Sequence, residues 1–204
     1  MSRLGDLIDH RVLGPARAMK ASAFDELTIA PSAIVFLGDS LTEGGAWHEW
    51  FPKAPVVNRG IGGDTAAGVL CRLGSALGVA PAAVFVLIGT NDLGRRRPVD
   101  DIVQDVDAIV SRIREHSLPT RVVLQSVLPR QPRYRDRIHE LNVRYAEIAW
   151  RHGVVLLDLW PAFADKSGGL RSTYTLDRLH LNGRGYRAWV DLLRPCVAAV
   201  VKGR

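Results

Sequence analysis

Ile34-Val35-Phe36-Leu37-Gly38-Asp39-Ser40-Leu41-Thr42-Glu43 is the stretch from which the fold can be read. Its four leading apolar residues are too few for a helix. Bounded by Pro31-Ser32 and Gly38, they have the form of a short strand buried on both faces. Gly38-Asp39-Ser40 then turns the chain, and residues 41–50 resume with helical character. Ser40 is therefore expected where a strand hands over to a helix N-terminus, with unpaired N–H groups and the positive end of the helix dipole facing outward. That setting suits a nucleophile whose attack creates an oxyanion. Taken alone, however, such a serine reads first as a helix cap.

Outward from this stretch, residues 55–58, 83–88, 122–128 and 154–158 form four more short apolar runs. The run 83–88 is apolar throughout and is expected at the centre of a sheet. Helices are expected over 65–77, 99–116, 134–152 and 182–201. The second has apolar residues at Val99, Ile102, Val103, Val106, Ile109, Val110 and Ile113, one face of a helix. Gly153 takes the C′ position of the third, and Asn182 caps the last. Residues 3–29 read as one or two helices lying across the outside of the sheet. Strands alternating with helices imply right-handed crossovers and a parallel sheet covered on both faces. The expectation is a three-layer α/β/α fold of flavodoxin-like topology, five strands in the order 2-1-3-4-5. With no break in composition, one domain over 1–204 is expected, residues 1–30 being a helical extension packed on it.

Composition removes several function classes. No apolar run approaches the length of a membrane span, and residues 1–20 lack the apolar core of a secretory signal. Cys71 and Cys196 are too few and too distant for a disulfide framework, which points to a cytoplasmic protein with two core thiols. The formal charge of +6 raises the question of nucleic acid. Arginine supplies 23 of the 27 basic residues, clustered only at Arg95-Arg96-Arg97 and at Arg130, Arg133, Arg135 and Arg137. Tyr134 is the lone interleaved aromatic and no nucleic-acid motif is present, so no nucleic-acid partner is expected. The clusters read as solvated surface, with steering of an anionic substrate as the alternative.

The chemistry-bearing residues gather at the carboxyl ends of the expected strands, where parallel sheets bind ligands. Strand two runs into Gly60-Ile61-Gly62-Gly63-Asp64-Thr65, whose glycines let the backbone approach a ligand and expose the Gly63 N–H. The spacing lacks the third glycine of a dinucleotide fingerprint. Strand three ends in Gly89-Thr90-Asn91-Asp92, where Asn91 offers an amide donor. In the order 2-1-3 these flank Ser40 at about 4.8 Å per strand. The long connection 159–181 closes on Asp177-Arg178-Leu179-His180, an Asp and a His that can meet side by side in one helical turn. His48, eight residues beyond Ser40, would lie roughly 12 Å along a helix and cannot be its base. It is expected to pack or line a pocket, and Trp47 and its aromatic neighbours to narrow one. Asp39, Asp64 and Asp92 read as turn and orientation residues.

Gly38-Asp39-Ser40-Leu41-Thr42, Gly60 to Thr65, Gly89-Thr90-Asn91-Asp92 and Asp177-x-x-His180 resemble, in order and spacing, the four signature blocks of the SGNH or GDSL hydrolases. The glycine segment and His180-Leu181-Asn182-Gly183-Arg184-Gly185-Tyr186 are most similar to the branch of platelet-activating-factor acetylhydrolase catalytic subunits and bacterial carbohydrate acetyl esterases. The resemblance implies a serine esterase acting on short-chain, above all acetyl, esters. Ser40 would be its nucleophile, His180 its base and Asp177 the residue orienting that base. Ser40 N–H, Gly63 N–H and the Asn91 amide would form the oxyanion hole, with no metal or organic cofactor. The implied substrate is a small ester, an acetylated carbohydrate among the candidates, and a homodimer is compatible with the likeness. The alternatives are a thioesterase or lysophospholipase for longer acyl chains, or a non-catalytic binding module on the same fold.

Overall fold

A computed structural model describes residues 14–203. The first helix, α1 (Gly14–Glu26), falls within the expected N-terminal helical stretch, whose residues 1–13 lie outside the described part. There follow β1 (Ile34–Gly38), α2 (Ser40–Glu43), α3 (Trp47–Trp50), β2 (Val56–Gly60), α4 (Ala66–Cys71), α5 (Leu73–Leu77), β3 (Ala83–Leu87), α6 (Thr90–Gly94) and α7 (Val99–His116). The second half holds β4 (Arg121–Gln125), α8 (Arg135–His152), β5 (Val155–Leu157), α9 (Trp160–Phe163) and α10 (Gly183–Lys202). The five strands pair in parallel in the order β2-β1-β3-β4-β5, as expected.

Alternation along the strands divides the core into two layers. Val35, Leu37, Val84, Val86, Val122 and Leu124 pack with α4, α5, α7 and α8 on one face. Ile34, Phe36, Phe85, Leu87 and Val123 pack with Trp47, Phe163, Trp189 and the apolar stripe of α10 on the other. Because both faces are covered, β1 and β3 are buried at every position and apolar nearly throughout. Among the described residues, no helix is long and apolar enough to cross a membrane.

The expected helix 41–50 is in fact α2 and α3, separated at Gly44-Gly45, and the expected helix 65–77 breaks at Arg72 into α4 and α5. Ladder pairing of β4 stops at Gln125, short of residue 128. The long connection 159–181 is folded on itself by two antiparallel bridges, Ala164 with Leu170 and Thr175 with Leu181. Gly153 closes α8 in the left-handed conformation (φ 62°), and the Asn182 side chain caps α10 by accepting from the Arg184 and Gly185 N–H groups.

Several expected environments are corrected. Cys71 is exposed and so is not a core thiol, whereas Cys196 is half-buried against the core. The His48 side chain is 78% exposed beside Glu49, not packed. Trp47 is buried in the core instead of lining an acyl pocket. Its ring stacks on Phe36 at 4.3 Å and meets Trp189 edge-on at 4.9 Å, while its indole N–H donates to the Thr42 carbonyl.

The arginine clusters are solvated surface only in part: Arg96, Arg133 and Arg135 are exposed, and the others are engaged. Arg97 donates to Asp92 and Asp105, Arg137 to the Leu93 and Arg97 carbonyls, and Arg95 to the Gly63 carbonyl. Arg130 is buried over the Tyr134 ring, with its Nη1 donating to the Thr90 carbonyl. Composition registered their charge; their partners are carbonyls and carboxylates around α6, which only the fold brings near.

Candidate active site

Ser40 opens α2 directly after β1. Asp39 precedes it in extended conformation and accepts the Leu41 N–H through Oδ1 at 2.9 Å, capping the short helix. The helix can sit on the end of β2 because residue 60 is glycine. A Cβ there would collide with the Glu43 backbone nitrogen. The Ser40 side chain therefore emerges at the carboxyl edge of the sheet, and the Ser40 N–H has no partner among the described residues.

His180 arrives from the far end of the chain. Ser40 Oγ lies 3.1 Å from His180 Nε2, and His180 Nδ1 lies 2.7 Å from Asp177 Oδ2. Asp and His do meet three residues apart, but not through a helical turn. Arg178 between them takes φ 61°, in the left-handed region. Thr175 Oγ1 accepts the Arg178 N–H at 2.9 Å and donates to Asp177 Oδ1, and that same oxygen accepts the Leu179 and His180 N–H groups. The Thr175–Leu181 bridge closes this turn at its base. Partial desolvation pushes the Asp177 carboxyl upward. The bonds from the His180 side chain and from the His180 and Leu179 backbone outweigh it, holding the group well below the usual carboxylate range. Asp177 therefore keeps its charge at neutral pH and can hold the imidazole in one orientation, with Nε2 turned to the hydroxyl.

Two further donors stand just past the ends of the flanking strands, whose last residues Gly60 and Leu87 pair with Gly38. In the segment 61–66 every backbone N–H but one is engaged. Ile61 donates to the Gly38 carbonyl, Gly62 to Glu43 Oε2, Asp64 to the Ile61 carbonyl, Thr65 to Asp64 Oδ1 and Ala66 to Asp92 Oδ2. Gly63, at φ 73°, is the one whose N–H has no partner among the described residues. A Cβ placed on the neighbouring Gly62 would come 3.9 Å from Ser40 Cβ, so this turn stands beside the serine. On the other flank, Asn91 in α6 donates one Nδ2 hydrogen to the Asp64 carbonyl at 2.9 Å, and an amide nitrogen has a second to offer.

The three aspartates near the strand ends do different work. Asp64 pairs with Arg72 at 2.7 Å, and Asp92 ties α6 to α4 through the Ala66 N–H and to Arg97. Asp39 is 1% exposed and its Oδ2 has no hydrogen-bond partner. Burial pushes its pKa up to about 7 despite the Leu41 N–H, with Asp64 and Asp92 adding to the rise. Chemically, a hydroxyl, an imidazole and a carboxylate in line, beside two unengaged backbone N–H groups and an amide, can activate an oxygen nucleophile and stabilise a developing oxyanion.

Residues 36–188 match the model of the GDSL-like Lipase/Acylhydrolase family. The chain is 33% identical to human platelet-activating factor acetylhydrolase IB subunit alpha1 over 164 residues, covering 75% of this chain and 70% of that protein. The rat alpha2 subunit is 29% identical over 166 residues, with the same coverage of each chain. Among solved structures, a Streptococcus pneumonia protein provisionally described as a platelet activating factor superposes with a TM-score of 0.88 at 27% identity, covering 97% of this chain and 100% of that one.

Proposed function

The chain belongs to the GDSL-like lipase/acylhydrolase family, and we propose that it is a serine esterase that removes short acyl groups, acetyl foremost, from alcohols through Ser40, His180 and Asp177. The observation that carries this reading is the run of hydrogen bonds Ser40–His180–Asp177, at 3.1 and 2.7 Å, formed beside the unengaged Gly63 N–H.

In this reading Ser40 Oγ attacks the ester carbonyl carbon while its proton passes to His180 Nε2, and the carbonyl electron pair moves onto oxygen. Asp177 stabilises the imidazolium that results. The oxyanion is held by the Ser40 and Gly63 N–H groups and the second hydrogen of Asn91 Nδ2, each such donor being worth about 10²–10³ in kcat. Collapse expels the alcohol, which takes the proton from His180, and leaves an acyl-serine. Water then attacks the acyl carbon with His180 again as base, releasing the carboxylic acid and restoring Ser40.

The acetyl preference is supported by the relatives, which are named acetylhydrolases. The alcohol to test first is a sugar hydroxyl. A cytoplasmic setting belongs to the same reading and is supported by the two free cysteines.

A fluorophosphonate should label Ser40 in wild-type protein and not in Ser40→Ala. No adduct, where a control esterase reacts, would favour a non-catalytic binding module. Rates across p-nitrophenyl esters should peak at two to four carbons. A maximum at eight or beyond would transfer the assignment to a thioesterase or lysophospholipase of longer chains.

A further inference from the structure

The arginine run Arg95-Arg96-Arg97 lies outside the residues that would touch the ester, yet its first member reaches the glycine turn. Arg95 Nη2 donates to the Gly63 carbonyl at 3.1 Å. One residue on, the Asp64 carbonyl accepts from Asn91 Nδ2 at 2.9 Å. Residues 91 and 95 are four apart, and the Arg95 N–H bonds the Asn91 carbonyl, so both side chains leave the same face of the α6 turn. That face therefore grips two consecutive carbonyls of the turn. From the opposite side, Glu43 on the serine's own helix accepts the Gly62 N–H at 2.8 Å.

These bonds constrain the peptide units on both sides of Gly63. Besides the turn's own bond from the Asp64 N–H to the Ile61 carbonyl, the 61–62 unit is held by Glu43, the 63–64 unit by Arg95 and the 64–65 unit by Asn91. The unit between, which bears the Gly63 N–H, has no anchor of its own among the described residues and takes its direction from its neighbours. Gly63 sits at φ 73°, where a glycine has wide rotational freedom, so a turn without external bonds would sample other orientations of that N–H. A donor aimed before the reaction needs no reorganisation during it, which is where oxyanion stabilisation comes from.

We propose that Arg95 is a positioning residue for ester hydrolysis: by holding the Gly63 carbonyl it fixes the glycine turn so that the Gly63 N–H points to where the oxyanion forms. Glu43 is the opposing arm of the clamp. The inference rests on the serine-esterase reading and adds to it a role for the arginine run, which the family signature does not include.

The test is steady-state hydrolysis of p-nitrophenyl acetate by Arg95→Met, Arg95→Lys and the exposed-neighbour control Arg96→Met, with melting temperatures taken alongside. Methionine keeps the aliphatic stem and removes every donor. Arg95→Met should lose between about 10- and 100-fold in kcat with KM within about twofold, as expected for a misplaced catalytic group. Arg95→Lys should recover part of the loss and Arg96→Met should match wild type. Combined with Asn91→Ala, Arg95→Met should cost less than the product of the two single losses, because both act on one turn. Should Arg95→Met not fold, Arg95→Lys decides, through a reduced kcat at unchanged KM. A kcat within twofold of wild type in a folded Arg95→Met, or losses that multiply with those of Asn91→Ala, would overturn the clamp while leaving the esterase reading intact. Failure of wild-type Ser40 to take up a fluorophosphonate would instead end the esterase reading, and this inference with it.

Discussion

Ser40 Oγ and His180 Nε2 stand 3.1 Å apart although 140 positions separate them in the chain. The contact is made by two turns, one at the carboxyl end of β1 and one closed by the Thr175–Leu181 bridge, and neither side chain belongs to the packed core. Removing either should leave the fold intact and stop the chemistry. Ser40→Ala and His180→Ala are each expected to lower kcat for p-nitrophenyl acetate by about 10⁴-fold or more, and the double variant by little beyond either single one. Melting temperatures close to wild type would confirm that the loss is chemical. A His180→Ala variant retaining a tenth of wild-type turnover would remove His180 from the role of base.

If the proposed esterase mechanism holds, Asn91 has two tasks that kinetics can separate. One Nδ2 hydrogen holds the Asp64 carbonyl, and the other is available to charge that appears only in the transition state. Asn91→Ala should therefore lower kcat by about 10²-fold while KM changes by no more than a few-fold. A loss expressed mainly in KM would mean that the amide binds the ground-state ester instead.

Much of this arrangement was legible in the chain before any coordinates. The apolar runs at 34–37 and 83–88 could only be strands buried on both sides, and the residues closing them, Ser40 and Asn91, had to emerge at one sheet edge. What periodicity could not supply is which side of a short helix faces inward. His48 and Trp47 are adjacent, yet His48 is in solvent and Trp47 in the core, because the break at Gly44-Gly45 resets the rotation of α3. Arg95 and Arg130 were equally opaque, since a carbonyl acceptor has no signature in composition. The Asp177–His180 contact was foreseen with the wrong backbone: Arg178 in the left-handed region, held by Thr175, does what a helical turn was expected to do.

Trp47 offers a check on that correction. Its ring is stacked on Phe36 at 4.3 Å, set edge-on to Trp189 at 4.9 Å and bonded through Nε1 to the Thr42 carbonyl at 2.9 Å, two residues from the serine. Trp47→Ala should cost about 3–5 kcal/mol in unfolding free energy, measured by urea denaturation. Trp47→Phe keeps an aromatic ring in the stack and should leave the acyl-chain profile where wild type has it. A shift of that profile toward longer esters would return Trp47 to the wall of the acyl site.

Asp39 gives stability a pH dependence of its own. It is buried with Oδ2 unpartnered, and burial pushes its pKa up to about 7, whereas the same carboxyl in the unfolded chain titrates near 3.8. Between those values the folded protein keeps a proton that the unfolded chain has released. The Asp39 contribution to stability therefore falls as pH rises through the window from about 4 to 7. Below it both states are protonated and the penalty is absent; above it both are ionised and the penalty is complete. Asp39→Asn retains an Oδ1 acceptor for the Leu41 N–H and removes the buried charge. Any fixed cost of its new NH₂ group is independent of pH, so the slope alone reports on ionisation. The urea midpoint of Asp39→Asn relative to wild type should climb between pH 4.5 and 7 and level off above. A difference that stays flat over that range would show the Asp39 carboxylate already ionised and compensated in the folded state, with its charge available to act on the Ser40 turn at every pH tested.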